Sequence, residues 1–591
     1  YTNNNFFTKE YQQGNGGAMN NSRPASFDKT KNIQYTTNAF LQFDQKFGGH
    51  TVNALVGGEF YDNKSYFNSG FARGAATDLI PWLAASTAPS VLGTTIINSA
   101  GAYSNFSGWE RISSAITRVN YTYLNKYLLT GIVRVDGSSR LKKGNYFGTF
   151  PGVSVGWNLH NEEFFKGSSL SKYISSIKPR FSYGVNGNVN SLGLYATAQV
   201  YNNAGTYNGF GGTYAASYIN PDVRWERAKS TNYGLDLGLF NERISINIDY
   251  FVRNVFDKIA GLGISAQTGF TSYSTNLGKL QNKGIELAIS GKILKSATPD
   301  GLNLEAGLNY FHVKSFAKKL PYNALPGNRT SGFFVWDPKN PTQQIYVGGL
   351  VEGQRIGLDE VWAPKWDGIY TDAAAIAADA NVWNTFLPYG NRRIKQLGDA
   401  RWHMVNKNDT IDAKQFVYVG RTTPQHTGGF YLAGSFKGIN LYAGFDYAFG
   451  FVILNNEILR GLSQVQGSQN QTSEALNTWS PTNPNGTLPR FYWANQGRNY
   501  ATDASGNNPP ANMWEKGDYV MLRELTLSYD LSSQIIGKFL ANKIKGLSVN
   551  ITGSNLIYFS GYSGNFPEVG GFDQGKFPLP KRLTFGVRVT L

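Results

Sequence analysis

The stretch Leu583-Thr584-Phe585-Gly586-Val587-Arg588-Val589-Thr590-Leu591 alternates strictly between apolar and other residues. Every odd-numbered position from Leu583 to Leu591 is apolar, and the positions between them hold Thr, Gly or Arg. A period of two is the pattern of a β-strand whose two faces meet different environments. The sequence therefore predicts a strand here, and the fold depends on which two environments that strand separates.

The same alternation recurs along the chain, and no stretch has the pattern of a long helix. It is clearest in the segments 51–60, 117–123, 129–136, 233–239, 244–250, 430–436, 439–446, 524–531 and 547–552. We count about 16 such strands, an even number, as bacterial single-chain membrane barrels require. A soluble all-β protein such as a propeller is the alternative, but no blade-like repeat of about 40–50 residues is present.

The connections between the strands are alternately short and long. Short turns are predicted at 47–50, 124–126, 241–243 and 437–438, and long loops near 62–110, 187–226, 318–423 and 453–516. Outer-membrane barrels have this asymmetry, with short periplasmic turns and long external loops. The fold class predicted for residues 1–591 is therefore an all-β transmembrane antiparallel β-barrel. Lumen-facing charges are predicted at Arg118, Asp249, Glu286, Asp446 and Arg588, with aromatic belts at the strand ends.

The composition agrees with a membrane barrel. Charged residues make up 16% of the chain, against about 25% in typical soluble domains. No run of 18 apolar residues exists, so no conventional membrane helix is predicted. The chain has no cysteine and a formal charge of +16. Because the basic residues are scattered rather than clustered in a run, we predict no nucleic-acid partner. An anionic cargo or lipopolysaccharide explains the charge equally well.

Longer motifs resemble SusC/RagA-type TonB-dependent transporters. The clearest is Asn276-Leu277-Gly278-Lys279-Leu280-Gln281-Asn282-Lys283-Gly284-Ile285-Glu286-Leu287, which is similar to the family segment N-x-G-x-x-x-N-K-G-I-E-L. Further similar segments are spread over nearly the whole chain, at 134–140, 150–157, 161–165, 225–236, 519–529 and 577–586.

The resemblance implies an outer-membrane barrel of 22 strands, filled by an N-terminal plug, covered by a SusD-like lipoprotein and energised by TonB through the plug. It also implies import of oligosaccharides or oligopeptides. We expect this sequence to be the C-terminal portion of such a chain, beginning at about the seventh strand, without the plug. A complete, porin-sized barrel of about 16 strands is the alternative. A barrel serving as a structural subunit of a larger outer-membrane complex is the alternative function.

Two motifs depart from the family pattern. In the acidic loop 398–412, Met404 and Asn408 replace carboxylates and Asp409 replaces a glycine. Calcium prefers several oxygen ligands including carboxylates, so no metal site is predicted there. The family's D-P-E segment is Phe566-Pro567-Glu568 here, which puts any role of that acid in doubt.

No catalytic residue or cofactor site is predicted. Ser154 lies in a G-x-S-x-G pattern, but no helix follows it and the residues around it continue a strand. The five histidines lack the spacing of a metal site. A surface glycosidase would need a paired acid and base, and no such pair is distinguishable. The sequence therefore predicts that the protein is not an enzyme.

The long loops are rich in aromatic residues. Rings beside Asn, Asp and Gln suit sugar rings or peptide backbones, which present apolar faces and polar edges. The alternative is that these rings pack the loops themselves or dock the lipoprotein. The candidate contacts with substrate or lipoprotein are Tyr201, Tyr207, Phe210, Tyr214, Trp362, Trp366, Trp383, Trp479, Tyr492 and Trp493.

Overall fold

Within the part of the chain that the structure describes, sixteen strands form one sheet in which each strand pairs with its neighbour in chain order. The computed structural model describes residues 2–9, 14–15, 18–19, 25–72, 90–92, 95–97, 100–298, 300–379, 394–409, 411–463, 471–492, 498–500, 509–531 and 546–590. The predicted number of about 16 strands is confirmed. The strands are β1 Thr2–Lys9, β2 Ala25–Phe47, β3 His50–Ala72, β4 Ala100–Tyr123, β5 Tyr127–Ser138, β6 Phe147–Trp157, β7 Ile174–Asn188, β8 Glu226–Leu239, β9 Ile244–Gly263, β10 Ser272–Leu294, β11 Asn303–Lys319, β12 His426–Phe436, β13 Ile439–Phe449, β14 Tyr519–Leu531, β15 Gly546–Ser560 and β16 Arg582–Thr590.

The antiparallel register aligns the apolar and polar faces across neighbouring strands. One row of paired residues through β13, β14, β15 and β16 is apolar, and it consists of Leu441, Leu527, Ile551 and Phe585. The adjacent row on the other face consists of Asn440, Ser528, Asn550 and Gly586. A slip of one residue would exchange the two faces. The alternation in the sequence therefore specifies this register.

Four tight turns connect strands at the places where the sequence predicts them. Gly48 has φ 56°, and Leu124 and Asn125 have φ 51° and 54°. Lys437 and Gly438 have φ 49° and 82°. Positive φ at both central residues, as in Lys437 and Gly438, is typical of the two-residue turn that matches the twist of a β-hairpin. The predicted turns at 47–50, 124–126, 241–243 and 437–438 are confirmed.

Strands β2, β3 and β4 are much longer than a bilayer requires, with 23, 23 and 24 residues. About 10 tilted residues suffice to cross the hydrocarbon core. The strands thus continue into part of the predicted long connection near 62–110. No alternation indicates them there, because both faces carry polar residues such as Asp62 and Asn63. Arg111 pairs with Asp62 at 2.9 Å and lies 3.6 Å from the ring centre of Trp109.

The other long connections contain small sheets and short helices. The strands outside the main sheet are Gly14–Asn15, Ala18–Met19, Ser90–Leu92, Thr95–Ile97, Tyr201–Tyr207, Phe210–Ala215, Phe333–Asp337, Asn340–Val347, Glu360–Ala363, Trp366–Ile369, Ala400–Trp402, Val417–Arg421, Val452–Asn455, Trp514–Lys516 and Phe572–Asp573. The helices are α1 Glu163–Lys166, α2 Ala373–Ala378 and α3 Asn456–Ser463. Within the described ranges, no helix is both long enough and apolar enough to span a membrane.

The chain divides into two compact units, which are residues 1–156, 182–231 and 254–279, and residues 157–181, 232–253 and 280–591. The first contains a core around Phe150, Val223 and Trp225. In the second, one core surrounds Ile453 and Met521. Another surrounds Leu454, Leu459 and Tyr500. These cores include residues of the long connections, so the connections have hydrophobic interiors of their own.

Candidate functional site

The apolar face of the sheet has no protein covering on β16. Phe585 and Val587 are 73% and 70% exposed. A row of exposed aliphatic and aromatic side chains would be unstable in water but is suited to hydrocarbon. A groove of about 520 Å³ on this face is lined by apolar side chains of β13 to β16, including Ile439, Leu527 and Val549.

Aromatic residues mark both ends of this apolar face. In the second unit, Tyr529 lies opposite Ile439 near one end of β13, and Tyr447 packs on Phe449 at the other. From Ile439 to Phe449 the strand rises about 33 Å at 3.3 Å per residue, which is about 25 Å across the membrane at a tilt of about 40°. This length is close to the ~25 Å apolar band of outer-membrane barrels. In the first unit, Tyr121 hydrogen-bonds His50 at 2.8 Å beside the turn at Gly48.

The opposite face of the second unit carries an open cavity of about 520 Å³. Its polar lining includes Asn247, Asn309, Tyr431, Tyr442, Asp446 and Arg523. The hydroxyl of Tyr431 donates to Glu305 Oε1 at 2.5 Å. Apolar side chains such as Phe430 and Phe445 lie among these polar groups. A concave surface that combines hydrogen-bonding groups with apolar area can hold a polar ligand or another polypeptide segment.

Two arginines organise the charges on this polar face. Arg180 donates to both oxygens of Asp236 at 2.8 and 2.7 Å and to Asp249 at 3.1 Å. Arg523 pairs with Asp446 and Glu568, each at 2.5 Å. Asp249 and Asp446 are among the charges that the sequence predicts for this face. The face is therefore a network of paired charges, not a surface of one sign.

Glu568 is a structural residue that the sequence did not indicate. Besides Arg523, it accepts hydrogen bonds from the hydroxyls of Tyr519 at 3.0 Å and Tyr558 at 2.9 Å. The carboxylate thereby attaches the connection between β15 and β16 to the strands β14 and β15. Its partners are 10 to 49 residues away in sequence, so no local pattern could have indicated this role.

Three of the candidate aromatic residues are accessible. Tyr201, Phe210 and Tyr214 lie on the small hairpin 201–215 and are 65%, 77% and 52% exposed. The side chain of Tyr207, and the residues Trp383 and Trp493, lie outside the part of the chain that can be described. The hairpin is thus an exposed aromatic surface within the connection between β7 and β8.

The other four candidates pack within the loops. Trp479 is 6% exposed, and Trp366 packs against the core around Leu459. Trp362 donates from Nε1 to Glu360 at 3.2 Å. Tyr492 donates to Gln396 at 3.1 Å, with the Arg498 guanidinium 4.2 Å from its ring centre. Burial, followed by the charge of Asp399, raises the pKa of the Tyr492 hydroxyl.

The acidic loop 398–412 is held by a lysine. Lys414 Nζ lies 2.6 Å from Asp409, which also accepts a hydrogen bond from Trp336 Nε1 at 2.9 Å. The hydrogen bond to Asp409 raises the pKa of Lys414. Across the residues described, no three His, Asp or Glu side chains converge as metal ligands. Ser154 lies within β6, as the sequence predicts.

Similarity to known proteins extends over the whole chain. Residues 1–398 match the family model described as TonB dependent receptor-like, beta-barrel. TonB-dependent receptor P3 of Formosa agariphila is 25% identical over 96% of this chain and 53% of its own. TonB-dependent receptor SusC of Bacteroides thetaiotaomicron is 31% identical over 44% of this chain and 25% of its own.

The structure of the RagAB peptide transporter superimposes with a TM-score of 0.72 at 21% identity, covering 99% of this chain and 58% of that chain. This likeness concerns the fold. The chain spans about half the length of the Formosa agariphila relative. With its two-faced sheet and its match over residues 1–398, the chain belongs to the TonB-dependent receptor-like β-barrel family of the outer membrane.

Proposed function

We propose that this chain is part of an outer-membrane importer that takes up oligosaccharides or oligopeptides, uses energy from TonB and works with a SusD-like surface lipoprotein. The observation that carries the proposal is that the sheet has two chemically different faces. Its uncovered apolar face suits lipid, and its opposite face has paired charges around a polar cavity of about 520 Å³. The similarity to SusC and to the RagAB peptide transporter supports the choice of cargo classes and partner.

Within this function, the exposed hairpin of Tyr201, Phe210 and Tyr214 is the proposed contact with cargo or lipoprotein. Flat rings offer sugar rings and peptide backbones a large contact area at little cost in side-chain entropy. Trp362, Trp366, Trp479 and Tyr492 would act indirectly, because they stabilise the loops around the site.

The test is uptake by a strain that carries the full-length gene as its sole copy. Labelled oligosaccharides and oligopeptides are supplied separately, with and without an uncoupler of the proton gradient. We expect energy-dependent uptake of one class, reduced at least severalfold in the Y201A/F210A/Y214A variant. Phe164→Ala provides the control. Phe164 is also exposed (65%), but it lies in α1, in the connection between β6 and β7 on the side of the short turns. Equal uptake of both classes by the gene deletion and the parent strain would exclude the importer.

A further inference from the structure

The face of β11 that carries Tyr310 changes chemistry along the strand. Leu304, Ala306 and Leu308 come first, followed by Tyr310 and His312. Tyr310 hydrogen-bonds His426 Nδ1 at 2.7 Å, and the rings of His312 and His426 stack with 4.9 Å between centres. This order, from aliphatic to aromatic, is that of a strand leaving the hydrocarbon and entering the headgroup region.

The next residues on the same face are Lys314, Phe316 and Lys318. On the other face of the strand, Ala317 is fully buried, and its backbone amide donates to the Gln354 carbonyl at 3.0 Å. Lys314 and Lys318 are exposed. Lys314 follows His312 by two residues, or about 7 Å along the strand, so the lysines begin where the aromatic belt ends. Lys318 lies about 13 Å further along the strand.

Phe316 holds two of the basic side chains. The Nζ atoms of Lys318 and of Lys283 on β10 lie 5.3 and 4.9 Å from the centre of its ring. Cations at this distance are attracted to the ring face, which orders the flexible lysine stems without neutralising them. Among the residues that the structure describes, no carboxylate forms an ion pair with Lys283, Lys314 or Lys318. Two unneutralised ammonium groups thus lie over one ring, and Lys314 lies two residues before that ring on the same face of the strand.

The first unit contains a similar arrangement by itself. Lys229 on β8 and Lys279 on β10 lie 4.9 and 4.4 Å from the ring centre of Phe256. A pair of lysines around a phenylalanine ring therefore occurs twice in the sheet. It contrasts with the polar face of the second unit, where Arg180 and Arg523 are paired with carboxylates.

We propose that Lys283, Lys314 and Lys318 form a binding site for the phosphate groups of lipid A, the phosphorylated glycolipid of the outer leaflet. The site lies just beyond the aromatic belt, at the depth where such phosphates are found. Lysine is a compact point charge that suits phosphate, and each one near an anionic membrane surface strengthens binding several-fold. The inference rests on the orientation in the proposed function, with the long connections outside, but it needs no particular cargo.

The test compares retention of lipid A by the full-length protein, purified in detergent, immobilised and washed at low ionic strength. The probes are bisphosphorylated lipid A and lipid A from which both phosphates have been removed. The K283Q/K314Q/K318Q variant is expected to retain roughly a hundredfold less of the phosphorylated probe, since each of the three lysines contributes several-fold, with no change for the other probe. Lysine-to-arginine substitution at the same positions keeps the charge and is expected to keep retention.

Lys437→Gln is the matched control. Lys437 is also exposed and lies 5.3 Å from the ring centre of Phe436, but it occupies the tight turn at the other end of β12. Retention of phosphorylated lipid A should not change in this variant. The proposal is overturned if the triple glutamine variant retains lipid A like the parent, if it loses both probes equally, or if Lys437→Gln causes the same loss. Uptake by the triple variant is measured in parallel, so that failure of import and failure of lipid binding remain distinguishable.

Discussion

At the scale of single residues, the loops of the second unit depend on buried charges that are individually paired. Asp399 is completely buried and pairs with Arg498 at 2.6 Å. It also accepts hydrogen bonds from Asn499 at 3.2 Å and from the Gln396 amide at 2.7 Å. A charge in such a position is tolerated only because every partner is present.

Replacement of Asp399 by alanine should therefore destabilise the loops strongly. The substitution leaves the Arg498 guanidinium buried without its counter-ion, and breaking a buried pair costs about 3–5 kcal/mol. We expect faster proteolysis of the connections 320–425 and 450–518 while the strands stay protected. Glu163→Gln is the control, because Glu163 pairs with Lys166 on the surface with 81% of its side chain exposed, and such pairs contribute little. Equal proteolysis of the two variants would contradict the role of Asp399.

Glu352 should make loop stability depend on pH. The Leu320 amide at 3.0 Å and the Asn328 amide group at 2.9 Å donate to its carboxylate, and these bonds lower the pKa of Glu352. A lowered folded-state pKa contributes stability that is present above the ordinary value of about 4.3 and is lost as the pH falls through the folded-state pKa.

The measurement is the difference in thermal midpoint between the parent protein and Glu352→Gln from pH 3 to 7. We expect the parent to be more stable above about pH 4.5, with the difference shrinking at lower pH. A difference that does not vary over this range would show that the lowered pKa does not contribute.

At the scale of the elements, each hairpin depends on backbone that few residues can adopt. Gly438 has φ 82°, and a Cβ atom there would lie 2.6 Å from the Asp530 carbonyl oxygen. Both the torsion and the space require glycine. We expect Gly438→Ala to lower the yield of folded protein after refolding in detergent, measured as the fraction with heat-modifiable gel migration. Gly561→Ala is the control, because a Cβ atom added at Gly561 would meet nothing within 4 Å; an equal loss in both variants would refute the argument.

A charged substitution should impair folding much more on the apolar face of β13 than on its polar face. Leu441 lies on the apolar face between Gly434 and Leu527, whereas the next residue, Tyr442, lines the polar cavity. An arginine on the lipid face costs about 2–4 kcal/mol at the middle of the membrane and less toward either interface, and Leu441 lies between these two positions. Leu441→Arg should therefore reduce folding into lipid vesicles far more than Tyr442→Arg does. The reverse order would mean that the faces are assigned incorrectly.

At the scale of the whole molecule, the uncovered apolar face determines how the protein can be handled. We expect the protein to leave cell envelopes only with detergent and to migrate differently on gels before and after heating, as membrane barrels do. The check is fractionation with carbonate, salt or detergent, followed by electrophoresis of heated and unheated samples. Release by salt or carbonate alone would contradict an integral position in the membrane.

Strand number and facing could be predicted from sequence because alternation is a local signal that hydrocarbon on one side imposes on every strand. That signal disappears at Asp62 and Asn63, where both faces are polar. The strands predicted from the alternation are therefore shorter than β3 and β4 in the structure. Tertiary contacts were not predictable either. Nothing near Trp479 or Phe210 in sequence indicates that the first is buried and the second exposed.

Strands β2, β3 and β4 extend beyond the length that a bilayer requires, and this extension has a practical consequence. Because both faces of these segments carry polar residues such as Asp62 and Asn63, neither face is selected to match a lipid. A fluorophore or a short epitope attached at an exposed position of this extension would stay clear of the bilayer. It would therefore not disturb insertion of the sheet into the membrane. The extension of β2, β3 and β4 is therefore a suitable place for a reporter group on living cells.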